Sequence, residues 1–98
     1  MNDKLPLVSV CVPNYNYGHY LRNCFESILA QTYPNIEVIF NDNKSIDDSF
    51  EIAMEYYRIF KEKGIYMSIH NNKENCGSDK NTNQCLARSR GEFSYVLA

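Results

Sequence analysis

No excess of basic charge, no zinc-type cysteine pairing and no long apolar run is found in this 98-residue chain. Each absence removes a class of function. Ten lysines and arginines stand against twelve acidic residues, a net charge of −2, so the chain lacks the basic footprint of a nucleic-acid binder. A local phosphate site stays open. The longest apolar stretch suits a buried strand and is too short to cross a bilayer. Met1-Asn2-Asp3-Lys4 carries no apolar segment of signal-peptide type. A cytoplasmic chain is therefore expected, with any membrane association arising from regions outside it. The cysteines, Cys11, Cys24, Cys76 and Cys85, form no CxxC and have no zinc-type spacing to His19 or His70. They read as small buried hydrophobes. The phosphate loops GxGxxG and GxxxxGK[ST] are missing, as is the GxSxG nucleophile elbow. No acidic pair follows the first strand, which disfavours a flavodoxin-like receiver.

What is present alternates regularly. Leu7 to Val12 is almost continuously apolar and β-branched, the pattern of a strand covered on both faces. Pro13 is expected to end it, because proline cannot donate to a central ladder. Leu21, Cys24, Phe25, Ile28 and Leu29 then recur at helical spacing. Pro34 and Asn35 break that helix, and Ile36 to Phe40 reads as a second strand. Ser45, with Asp48 three residues on, predicts a capping box opening the next helix, favoured also by Asp47 at the positive end of the dipole. This helix should run to about Lys63 and close on Gly64. Phe50, Ala53, Tyr57 and Phe60 supply its apolar face, widened by Ile52, Tyr56 and Ile59. Ile65 to His70 predicts a third strand, Ser78 to Ser89 a weakly apolar helix stopped by Gly91, and Phe93 to Leu97 a fourth strand.

This order predicts an α/β fold, a Rossmann-like parallel sheet with helices on both faces. Such sheets bind ligands outside the carboxyl ends of their strands. The first two strand ends are rich in Asn, Asp and Tyr: Pro13-Asn14-Tyr15-Asn16, then Asn41-Asp42-Asn43 and Ser45. Tyr15 can stack on a base. Asp42 and Asn43 can accept from a ring N–H, and Asn43 can also donate. Each residue alone is an ordinary turn former. Their joint placement at neighbouring strand ends is what suggests a ligand. His19 and His70 read as surface or turn residues, Asp47 and Asp48 as helix caps, and Cys76 as incidental.

Val12-Pro13-Asn14-Tyr15-Asn16 resembles the V-P-x-Y-N opening of family 2 glycosyltransferases of the GT-A fold. Ser27 to Glu37 is similar to the family's S-I-L-x-Q-T-Y-x-N-x-E. Asp42-Asn43-Lys44-Ser45-Ile46-Asp47 resembles its D-D/N-x-S-x-D. Asn75-Cys76-Gly77 resembles N-x-G, and Gly91-Glu92-Phe93 resembles G-E-Y/F. The resemblance runs through nearly the whole chain from Leu7. It implies strand order 3-2-1-4 and the N-terminal, nucleotide-sugar-binding half of a GT-A domain, so that residues 1–98 form a single truncated domain. It implies that Pro13 and Tyr15 line a base pocket, usually for uridine, and that Asp42 and Asn43 contact base or ribose. Ser45 belongs to the same motif. Asn83 falls where the family often has Asn. Thr82 stands where an arginine is frequent, with Lys80 a nearby cationic substitute.

The partners implied are a nucleotide diphosphate sugar, most often a UDP-sugar, and a saccharide or lipid-linked acceptor, in cell-surface polysaccharide biosynthesis. The implied cofactor is Mn²⁺ or Mg²⁺ on the diphosphate, held by an Asp-rich motif beginning at or just after Ala98. The acceptor half and the carboxylate base would lie further on, with inversion at the anomeric carbon. The chain alone is then expected to bind weakly and catalyse nothing. Its open sheet edge predicts self-association. The alternative reading is a non-catalytic nucleotide- or protein-binding α/β module.

Overall fold

The structure is a computed structural model and describes residues 5–97. Met1 to Lys4, read above for a targeting signal, and Ala98, where a metal motif is expected to begin, lie outside the described residues. The element order is β1 (Val8–Asn14), α1 (Gly18–Leu29), β2 (Ile36–Asp42), α2 (Ser49–Glu62), β3 (Tyr66–Asn71), α3 (Ser78–Ala87) and β4 (Phe93–Val96). The strands form one parallel sheet in the order β3-β2-β1-β4, as the resemblance implies.

Alternation along β1 and β2 sends side chains to two differently built faces. Val10, Val12, Val38 and Phe40 meet Leu21, Phe25 and Ile28 of α1 and Ile52, Ala53, Tyr56 and Phe60 of α2. Phe25 sits among three rings, with centroids 5.0 Å from Tyr56 and 5.9 Å from both Phe40 and Phe60. On the opposite face Cys11 and Ile39 pack on Cys85 of α3. There the apolar contact is small, and hydrogen bonds supply the rest.

Four local expectations are corrected. β1 does not stop at Pro13; it runs through it to Asn14, opposite Asp42. The amide edge of residue 13 points toward β4, as that of Cys11 does where its carbonyl accepts from Leu97. Among the described residues, pairing with β4 ends at Cys11 and Val96, so the missing donor of Pro13 breaks no ladder bond there. The Ser45–Asp48 capping box is absent. Ser45 bonds Asp42 instead, α2 begins at Ser49, and Asp47 rather than Asp48 accepts its first amide. The buried face of α2 is Ile52, Ala53, Tyr56 and Phe60, while Phe50 and Tyr57 are partly exposed. Gly91 is not a helix stop. α3 ends at Ala87, and Gly91 passes so close to β1 that a Cβ would meet Leu7 O and Ser9.

Gly64 follows α2 at φ +77° and donates to Lys61 O, closing the helix as read. At the sheet's edge, β4 exposes Phe93, Tyr95 and Val96. No helix among the described residues is long and apolar enough to cross a membrane.

Candidate functional site

The register Asn14↔Asp42 puts the tips of β1 and β2 side by side, and the next amide, that of Asn43, donates to Asn14 O at 2.9 Å. The two Asn/Asp-rich segments therefore meet at one sheet end, the carboxyl end where parallel sheets hold ligands.

Asp42 is 1% exposed. Its Oδ1 accepts from Asn14 Nδ2 at 2.9 Å and from Ser45 Oγ at 2.7 Å, and its Oδ2 accepts from the Ser45 amide at 2.8 Å. Ser45 Oγ in turn accepts from the Asn16 amide at 2.9 Å and from Asn14 Nδ2 at 3.2 Å. Asn16 Oδ1 takes the Ile46 amide at 2.8 Å, which returns the link. Asn16 and Lys44 stand at φ 56° and 62°, each at the bend where its turn leaves the sheet. The two turns thus hold each other through side chains. Asp47 extends the clasp: its Oδ2 accepts from the Gly18 amide at 2.9 Å at the start of α1. Burial works against the Asp47 carboxylate, but hydrogen bonds from Ser49 and Gly18 outweigh it and hold its pKa below the ordinary aspartate value.

Asn43 faces the other way, into the 72–77 loop after β3. Its Oδ1 accepts from the Cys76 amide at 3.0 Å and Asn72 Nδ2 at 3.1 Å, and its Nδ2 reaches Asn75 Oδ1 and Gly77 O, each at 3.2 Å. The amide chain continues into α3. Asn72 Nδ2 donates to Asn81 Oδ1, Asn81 Nδ2 to Asn41 O, and Arg88 to Asn41 Oδ1.

The structure thus joins Asp42, Asn43 and Ser45 in one hydrogen-bonded region at the tips of β1 and β2. Tyr15 lies on the β1 turn, 44% exposed, and Pro13 is half-buried just before it. Lys80 and Asn83 are exposed on α3 and, among the described residues, no hydrogen bond ties them to the network. A groove of about 580 Å³ borders Pro13 and Asn14. Its other walls, Val12, Leu21, Cys24 and Leu97 with Tyr17 and Tyr20, are largely apolar and belong to the α1 side.

Sequence reading missed Asn72, Asn81 and the structural part played by Cys76. The clustering of asparagines from Asn71 to Asn83 was the available signal, since amides both donate and accept and so can link into chains.

The profile of Glycosyl transferase family 2 matches residues 9–98. The chain belongs to this family. Among curated relatives, the glycosyltransferase GlyG of Streptococcus pneumoniae is 39% identical over 91 residues, covering 93% of this chain and 29% of its own length. Among solved structures, TarS of S. aureus in complex with UDP superposes with a TM-score of 0.79 at 29% identity, over 92% of this chain and 26% of that one. The mannosyltransferase PcManGT of Pyrobaculum calidifontis, in complex with GDP-Man and Mn²⁺, gives a TM-score of 0.83 at 23% identity, over 95% and 27%. The last likeness is one of fold. This chain spans between a quarter and a third of the length of these proteins.

Among the described residues no three His, Cys, Asp or Glu side chains converge. Asp42 and Asp47 also turn their oxygens to Asn14, Ser45, Ser49 and Gly18.

Proposed function

We propose that this chain is the nucleotide-binding part of an inverting glycosyltransferase that moves a sugar from a UDP-sugar to an acceptor hydroxyl on a saccharide or lipid-linked acceptor. Mn²⁺ or Mg²⁺, held by residues outside those described, would assist departure of the nucleotide. In this reading residues 1–98 are one part of a GT-A domain and work in the cytoplasm.

The observation that carries the reading is the meeting of the β1 and β2 tips. It sets a half-exposed tyrosine beside a clasped, rigid Asp42–Ser45–Asn14 turn. The uracil ring stacks on Tyr15, and the Pro13 backbone borders it. Asp42 and Ser45 serve by holding the turns, so that the pocket is formed before the ligand arrives and little ordering remains to oppose binding. Lys80, exposed on α3, is the candidate cation for the diphosphate. The UDP bound to TarS, a relative at 29% identity, supports a uridine nucleotide.

Titration of the chain with UDP, followed through its amide NMR signals, tests this. Tyr15, Asn16 and Ser45 should shift. Tyr15→Ala should weaken binding by roughly 1–3 kcal/mol, the worth of one aromatic–base stack, and leave the unfolding midpoint unchanged. Unaltered affinity would remove Tyr15 from the site. No shift at either strand tip at saturating UDP would overturn the reading.

A further inference from the structure

The side chain of Asn43 is 2% exposed and has no free hydrogen-bonding capacity. A primary amide offers two donor hydrogens and two acceptor lone pairs. Both hydrogens are taken, by Asn75 Oδ1 and Gly77 O, and both lone pairs, by Asn72 Nδ2 and the Cys76 amide. The orientation of the amide is not a matter of choice. The Cys76 N–H can only donate and the Gly77 carbonyl can only accept, so Oδ1 must face the first and Nδ2 the second. Backbone groups of opposite character on either side match the two ends of a primary amide. A carboxylate would set an oxygen against the Gly77 carbonyl, and an aliphatic group would strand both partners.

Resting on the nucleotide-binding reading above, we propose that Asn43 is a positioning residue. It fastens the 72–77 loop, and through Asn72 and Asn81 the start of α3, to the tip of β2, and it does not read the base. Its backbone N–H donates to Asn14 O, so the same residue ties that loop to the β1 turn carrying Tyr15. Base preference then has to come from groups other than Asn43. Loss of Asn43 should cost every nucleotide alike, because it lets the wall of the pocket move.

Asn43→Asp and Asn43→Ala separate the two roles. Hydrogen exchange reads the loop directly. The Cys76 and Gly77 amides, which bond Asn43 Oδ1 and Asn75 Oδ1, should lose protection roughly tenfold or more, while the central amides of β1 keep theirs. UDP and GDP affinities, measured side by side, should fall by the same factor. A selective loss for one base, with loop protection intact, would make Asn43 a base reader and overturn the proposal. Unchanged loop protection would overturn it as well. If the unaltered chain binds neither nucleotide, the nucleotide-binding reading fails, while the exchange data still decide whether Asn43 holds the loop.

Discussion

On the face covered by α1 and α2, the strands present Val10, Val12, Val38 and Phe40 to a cluster of rings and branched chains. On the face covered by α3, the same strands present Ser9, Cys11, Glu37, Ile39 and Asn41, every one buried. The first face holds by area removed from water, which tolerates small shifts in geometry. The second holds by directional bonds. Glu37, 1% exposed, accepts from Ser9 Oγ at 2.6 Å, from the Arg90 amide at 2.8 Å and from Arg90 Nε at 2.9 Å. Arg90 also lies over the Tyr66 ring, 4.5 Å from its centroid. The polar face carries α3 and continues into the loop that Asn43 holds. The difference teaches a division of labour: burial on one side makes the domain stand, and bonds on the other place α3 and the 72–77 loop.

The largest test strikes the apolar face. Phe25→Ala removes the ring that Phe40, Tyr56 and Phe60 surround, and should cost about 3–5 kcal/mol. Domains of this kind have about 5–15 kcal/mol in all, so urea unfolding should shift to far lower denaturant. Protection should fall in all four strands together, on both faces. A loss confined to α1 and α2 would break the comparison, since the apolar face would then not be what supports the other.

The next test strikes Glu37. Burial pushes its pKa up, but the bonds from Ser9 and from the backbone and guanidinium of Arg90 outweigh it, so the pKa is lowered. A carboxyl depressed in the folded state adds stability that is complete above its unfolded value, about 4.3. That stability is lost as pH falls through the depressed folded value. Glu37→Gln should therefore cost roughly 2–3 kcal/mol at neutral pH, the loss of a buried charged acceptor. The gap to the unaltered chain should narrow below pH 4 or so, as the unaltered carboxyl also becomes neutral. A gap independent of pH would assign the loss to shape instead of charge.

How far these faces could be read beforehand differs for the same reason. The apolar one was legible in α1, where Leu21, Cys24, Phe25, Ile28 and Leu29 keep a single helical spacing and Leu21, Phe25 and Ile28 are fully buried. In α2 it was blurred. Phe50, Ile52, Ala53, Tyr56, Tyr57, Ile59 and Phe60 surround much of the helix, and only packing against Phe25 selects which of them go inside. The polar face was not legible. Glu37 and Arg90 lie 53 residues apart and Asn41 and Asn81 lie 40 apart, so no local pattern pairs them. Ser45 shows the same limit in miniature: its local capping signal was real, but Asp42, Asn14 and Asn16 claimed the side chain first. The strand-tip residues themselves stood out because they are a run of polar groups where two apolar strands end.

The smallest expected effect sharpens the comparison most. Arg22 of α1 and Glu55 of α2 make two charged hydrogen bonds, at 2.6 and 3.1 Å, as good in geometry as those of Arg90 with Glu37. The two pairs differ in burial: both Arg22 and Glu55 are about half exposed, whereas Glu37 is sealed. Water solvates an exposed pair nearly as well when it is apart, so bonding it gains little. Arg22→Gln should leave the urea midpoint unchanged within error and insensitive to salt, in a chain where Glu37→Gln shifts it clearly. If the two substitutions cost the same, the number of bonds would matter more than their burial. The polar face would then owe its strength to something other than exclusion of water.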